Sequence, residues 1–153
     1  IDRYRSLLPA DSHWIRETPL PHASLPHGPL VGFAQGLRHL QTDANPADWI
    51  LLLACDLPHV SSEAIEQWRC HLPPEQMPEG AIACLPKHPK GWEPLCGFYH
   101  RRCLPSLLAF VEGGGRSFQV WLQGELVEAL PLTHPQILFN CNTPEDLANA
   151  QAK

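Results

Sequence analysis

Long apolar runs are missing from this chain. The longest, Trp49 to Cys55, is seven residues, against the roughly 18 that a membrane-spanning helix needs. No basic start followed by an apolar stretch marks a secretory leader. An excess of positive charge is missing too. Lys and Arg number 11 against 16 Asp and Glu, a formal net charge of −5, and no Lys/Arg block occurs. This argues against nucleic acid or an anionic membrane as the main partner. Closely spaced metal-ligand pairs are also lacking. None of the six cysteines forms a C-x-x-C pair, and the nine histidines form no H-x-x-H or H-E-x-x-H pair. A dedicated zinc cage is therefore not expected. The cysteines lie in apolar runs and read as reduced thiols that pack as small hydrophobes. With neither leader nor membrane span, the chain is expected in the cytoplasm.

Proline is what the sequence has in excess, 17 of 153 residues, against an average of ~5%. Connections between elements should be extended and stiff. The length suits one domain, residues 1–153, with a folded core. Residues 1–13 read as a helical or turn remnant and Trp14–Glu17 as a short strand. The proline-rich stretch 18–29 reads as an extended loop. A helical period follows over Leu30–Leu40, with Pro29 suited to its first turn. WILLLAC, 49–55, is apolar on both faces and reads as a buried parallel strand. Ser61 or Ser62 caps a helix reaching about His71. Short strands are expected over Ala81–Leu85, Pro94–Tyr99, Leu126–Leu130 and Ile137–Phe139. Helices are expected over Cys103–Val111 and Ser117–Leu122. Leu85 to Trp92 reads as a connector or a rim. Thr143-Pro144-Glu145-Asp146 carries an N-cap, a first-turn proline and first-turn acids, opening a final helix. Strands alternating with helices predict an α/β fold, a three-layer α/β/α sandwich with a mostly parallel sheet.

Four places could carry chemistry. Asp56 stands just past the strand in LLLACDLP, where open α/β sheets bind ligands. Its carboxylate could hold Mg²⁺ against a phosphate, or cap the turn before Leu57-Pro58. His27-Gly28-Pro29-Leu30-Val31-Gly32 puts glycines at a helix start, where backbone approaches a ligand closely. It matches neither the dinucleotide fingerprint nor the P-loop. Asn140 and Asn142 flank Cys141 before the final helix; their amide carbonyls could meet a cation or a ligand hydroxyl, or shape the turn. Arg116, after three glycines, could meet a phosphate bidentately or simply follow a helix stop. Glu17 is a further single acid.

Taken in order, GPLVG, a strand ending in CDLP, EPLCGFYHR, a GGGR turn and NCNTPEDL resemble the molybdenum cofactor guanylyltransferases (MobA type) of the nucleotidyltransferase group. The likeness runs from about residue 14 to the C-terminus. It implies a Rossmann-like fold and transfer of GMP from GTP to the terminal phosphate of molybdopterin or Mo-molybdopterin, releasing pyrophosphate. It implies Mg²⁺ on Asp56 and Asn142, with Asn140 near the phosphates on the acceptor side, and guanine near Gly28, Pro29, Leu30 and Gly32; Arg116 is the guanidinium expected at the acceptor's phosphate. Other molybdenum cofactor proteins are implied as partners. The family's opening strand and LAGG-x-S-x-RMG-x-DK loop, which cradle the triphosphate, have no counterpart here. The resemblance therefore implies that a βαβ unit of ~30 or more residues is missing before Ile1, and that this chain alone is inactive. The family's guanine-reading Asp has Glu17 as its nearest equivalent, and Glu can make the same bidentate contact. Molybdenum cofactor cytidylyltransferases and sugar-nucleotide transferases share the later motifs. A non-catalytic cofactor- or protein-binding module would also fit a chain without the phosphate loop.

Overall fold

Local capping chemistry sets where the helices begin. The computed structural model describes residues 8–19, 28–42, 47–72, 77–89, 91–132 and 134–151. Helix α1 (Pro29–Leu40) starts on a proline behind Gly28, whose φ of 76° lies in the left-handed region that glycine tolerates best. Helix α2 (Ser62–Arg69) is capped by Ser61, whose Oγ accepts the Ala64 N–H at 3.2 Å. Helix α3 (Leu104–Glu112) ends at Gly113, and α4 (Phe118–Leu122) takes its cap from Ser117. Helix α5 (Pro144–Gln151) carries the expected acids in its first turn.

Five strands form one sheet: β1 (Trp49–Leu53), β2 (Ala83–His88), β3 (Gly91–Trp92), β4 (Cys96–His100) and β5 (Val127–Leu130). The order is β1-β4-β2-β3, with β5 also paired to β2. β4 is antiparallel to β1 and to β2, β3 is antiparallel to β2, and only β5 is parallel to it. Hence β1, β2 and β5 run one way, and β3 and β4 the other. The expected common direction holds for three strands, while the pairings between neighbours are mostly antiparallel. The reason lies in the loops. The β2–β3 link is only two residues long, and a parallel neighbour needs a crossover of about a dozen; β4 then follows β3 in the same direction along β2.

Alternation along the strands sends side chains to two faces. On one face Ile50, Leu52, Ala83, Leu85, Tyr99 and Val127 pack against α1, α3 and α4. On the other, Trp49, Leu51, Cys84, Cys96, Phe98 and Leu130 pack against α2 and the segment around Ile137. The layering is therefore helix, sheet, helix. Phe33, Tyr99, Phe118 and Trp121 form the aromatic centre of the first face, with Phe33 and Tyr99 centroids 4.6 Å apart. Burial pushes the Cys84, Cys96 and Cys103 thiols up to about 12, as expected of cysteines serving as core hydrophobes. Among the described residues no helix is long and apolar enough to cross a membrane.

Four expectations change. Trp14–Glu17 is not a strand; the segment is held on α1 by the Gln35 amide, which accepts the Thr18 N–H at 2.7 Å and donates to the Thr18 carbonyl at 2.8 Å. Pro135–Leu138 is a 3₁₀ turn, not a strand over 137–139, since Pro135 pre-sets helical φ at its start. Leu85 to Trp92 is largely strand, within β2 and β3. β1 is half-buried along its length instead of buried on both sides. Residues 1–7 of the expected N-terminal turn and 20–27 of the proline-rich loop lie outside the described residues.

Candidate functional site

The site grows from the end of β1. Ala54 donates its N–H to the Leu95 carbonyl at 2.7 Å, and the chain turns at Cys55-Asp56. The Asp56 carbonyl accepts the Cys141 N–H at 2.8 Å. Two distant segments, 93–95 and 140–142, are thereby fastened to the same turn. Between the Lys87–Trp92 and Cys84–Phe98 pairings, β2 moves three positions while its partner moves six. Glu93-Pro94-Leu95 is therefore a three-residue bulge in the β3–β4 strand, clamped further by the Tyr99 hydroxyl donating to the Pro94 carbonyl at 2.8 Å.

A cavity of about 760 Å³ opens between this turn and α1. Asp56, Cys55 and Leu53 line one side, Pro29, Gly32 and Phe33 the other, with Ile15 and Leu95 at its ends. The structure thus brings Asp56 together with Pro29 and Gly32. Glu17 joins them: a Cβ placed on Gly32 would lie 3.7 Å from Glu17 Oε2. Gly28 immediately precedes α1 and is exposed. Leu30 is fully buried in the core, so its side chain packs and does not face the cavity.

Asn140 and Asn142 are exposed and follow a 3₁₀ turn, so strand alternation does not govern where they point. Their segment is positioned by a capping box instead. Asp146 Oδ2 accepts the N–H of Asn142 at 3.1 Å and of Thr143 at 2.9 Å, while Thr143 Oγ1 accepts the Asp146 N–H at 3.1 Å. These bonds, the Thr143 side chain foremost, hold the Asp146 carboxyl below the usual range. Arg116 is engaged elsewhere. Its guanidinium donates to the carbonyls of Val111 at 2.9 Å and Gly115 at 2.6 Å, closing the end of α3. It does not line the Asp56 cavity.

One positioning residue escaped the sequence reading. Glu93 is half-buried, with its pKa raised chiefly by burial and also by the charge of Asp56; His88 and the Leu95 N–H offset part of this. It adds a second acid beside Asp56, and the EPL bulge is what puts it there. Asp146, expected as a first-turn acid behind the Thr143 cap, also fixes the backbone of Asn142.

Among the described residues no group of three or more His, Cys, Asp or Glu could enclose a metal. The donor set is one carboxylate at a cavity edge, an acid behind it and exposed amides nearby. That suits magnesium, which keeps most of its waters and binds one or two carboxylates plus substrate phosphates. It does not suit a cage built of protein alone.

Comparison with known proteins adds the following. The model of the MobA-like NTP transferase domain matches residues 4–128. The chain is 57% identical over 134 residues to a probable molybdenum cofactor guanylyltransferase of Nostoc sp., covering 88% of this chain and 61% of that protein. It is 41% identical over 145 residues to a protein of the same description from Synechococcus elongatus, covering 95% and 70%. It resembles the crystal structure of molybdopterin-guanine dinucleotide biosynthesis protein A from Archaeoglobus fulgidus with a TM-score of 0.63 at 27% identity, covering 82% and 62%. The chain spans about three fifths of the length of the Nostoc relative.

Proposed function

The chain belongs to the MobA-like NTP transferase family, and from that premise we propose that the protein carries GMP from GTP onto the terminal phosphate of molybdopterin or Mo-molybdopterin, with Mg²⁺, releasing pyrophosphate. The activity is proposed for the full-length protein, working in the cytoplasm alongside other proteins of molybdenum cofactor assembly. One observation carries it most. Asp56 lies at the edge of the cavity below α1, and its own carbonyl fastens the 140–142 segment.

In this reading the guanine lies against Gly28, Pro29 and Gly32, and the Glu17 carboxylate accepts the base's N1 and N2 hydrogens. Both acceptors are then paired by a matching edge, which a cytosine does not present. Asp56 and Asn142 would hold the cation, and Asn140 orients the acceptor. Magnesium, when bound, neutralises charge that builds on the phosphates. An acceptor phosphate oxygen attacks the α-phosphorus in line, the bond to the β-phosphate oxygen breaks, and pyrophosphate leaves. No covalent enzyme intermediate is needed. Arg116 is given no part, since its guanidinium closes α3.

Calorimetric titration of the full-length protein with Mg·GTP and Mg·CTP tests the base. GTP should bind about tenfold tighter or better, one bidentate contact's worth of discrimination. Equal or tighter CTP binding moves the protein to the cytidylyl branch. Product analysis with molybdopterin against sugar phosphates tests the acceptor, and a sugar nucleotide as the main product overturns the reading.

A further inference from the structure

A second hollow adjoins the 139–142 segment, apart from the Asp56 cavity. It encloses about 500 Å³, within the ~300–1,000 Å³ usual for small-molecule sites. Two rings frame it. His59 lies three residues after Asp56 and Phe139 one residue before Asn140. Their centroids are 5.8 Å apart and their planes inclined by 42°. Phe139 is 39% exposed, so a large apolar ring is turned to the hollow and not to the core. Leu138 and Pro135 extend the apolar wall, while Gln136 and Asp146 supply polar groups. His59 and Gln136 also line a neighbouring hollow of about 460 Å³. Both ends of the ring pair are therefore tied by short chain to the turn that carries Asp56, His59 through Leu57-Pro58 and Phe139 through the Cys141–Asp56 bond.

A hollow with an aromatic wall and a few polar groups beside it matches one ligand chemistry well: a flat, fused nitrogen heterocycle. Its faces are apolar enough to stack, and its edge carries N–H donors for a carboxylate or an amide carbonyl. A sugar ring is puckered and carries hydroxyls, not ring N–H donors, at its edge. We propose that this ring-lined hollow receives the fused heterocycle of the acceptor, with Phe139 and His59 as its specificity-determining residues, and that the acceptor's phosphate arm runs along residues 140–142 toward Asp56. This rests on the guanylyl-transfer reading above, and deepens it by locating the acceptor ring.

The probe is 6-hydroxymethylpterin, whose own fluorescence reports binding to the full-length protein. Phe139→Ala should weaken pterin binding about tenfold and raise the acceptor KM by a similar factor, while affinity for Mg·GTP stays within about twofold. Phe139→Tyr, which keeps the ring, should restore most of the pterin affinity. His59→Ala is the second variant, to be used should Phe139→Ala fail to give a cooperative melt, and should act in the same direction. Unchanged pterin binding and acceptor KM in a folded variant overturn the inference, as does a wild-type protein that binds no pterin. A wild-type protein that binds pterin through Phe139 yet transfers no nucleotide to any phosphorylated pterin sinks the functional reading and leaves the hollow's assignment standing.

Discussion

β1 (WILLL) is the more apolar of the two strands, β4 (CGFYH) the less, and they pair with each other over their whole length, from Trp49–His100 to Leu53–Cys96. Their burial differs sharply. The first four residues of β4 are buried, whereas β1 is half-buried and Leu53 is 41% exposed. Composition does not explain this; position does. β4 lies between β1 and β2 with helices on both faces. Among the described residues β1 pairs with β4 alone. Among the described residues β4 is the inner strand, and the candidate site is built where β1 ends.

Substitutions at the two strands separate these roles. The largest effect is expected at Asp56→Ala: about 4 kcal/mol of barrier, a ~10³-fold loss of transfer read as pyrophosphate release. Its melting temperature should stay near that of the wild type, because the side chain sits at a cavity edge. Activity surviving this change would remove Asp56 from the chemistry. Next comes Tyr99→Ala in β4, which empties a fully buried ring site within the aromatic cluster and should cost about 3 kcal/mol of stability by denaturant titration. Gly97→Ala should cost about 2 kcal/mol, since a Cβ there would lie 2.6 Å from the Cys84 carbonyl oxygen. Leu53→Ala in β1 should cost about 1 kcal/mol or less. A loss as large as that of Tyr99→Ala would mean that β1 is covered in solution, and the contrast between the strands would fail.

Much of the frame was legible because it rests on local chemistry. Pro29, Ser61, Ser117 and Thr143-Pro144 announce helix starts through side-chain bonds and fixed φ that do not depend on the rest of the fold. The reversed course of β4 was not legible, because Leu85 to Trp92 reads as a connector and so conceals the two-residue hairpin that turns the chain back. The 3₁₀ turn at Pro135–Leu138 was misread because three apolar residues carry no period of their own, and the proline before them was the better signal. Within the site, Asp56, Pro29 and Gly32 could be picked from their places at element ends. Glu93 and the His59–Phe139 pair could not, since the first depends on a bulge and the second on two segments 80 residues apart in sequence.

Glu93 gives the smallest effect and ties stability to the site. Its side chain is 21% exposed, 3.9 Å from His88 Nε2, and its pKa lies above the ordinary 4.5, first through burial and last through Asp56. Between 4.5 and the raised value the folded protein binds more protons here than the unfolded chain does. Stability contributed at this position is therefore present below pH 4.5 and is lost as pH rises through the folded pKa. Glu93→Gln keeps an acceptor for the Leu95 N–H and removes the titration. The variant should melt above the wild type at pH 7, and the gap should close toward pH 4 in scanning calorimetry. The charge that weakens the fold also adds attraction for a cation at Asp56, so the same variant should need more Mg²⁺ for half-maximal activity. A melting gap that does not change with pH would show that burial of this carboxylate is not the source of the cost. An unchanged Mg²⁺ requirement would separate the EPL bulge from the chemistry of the Asp56 turn.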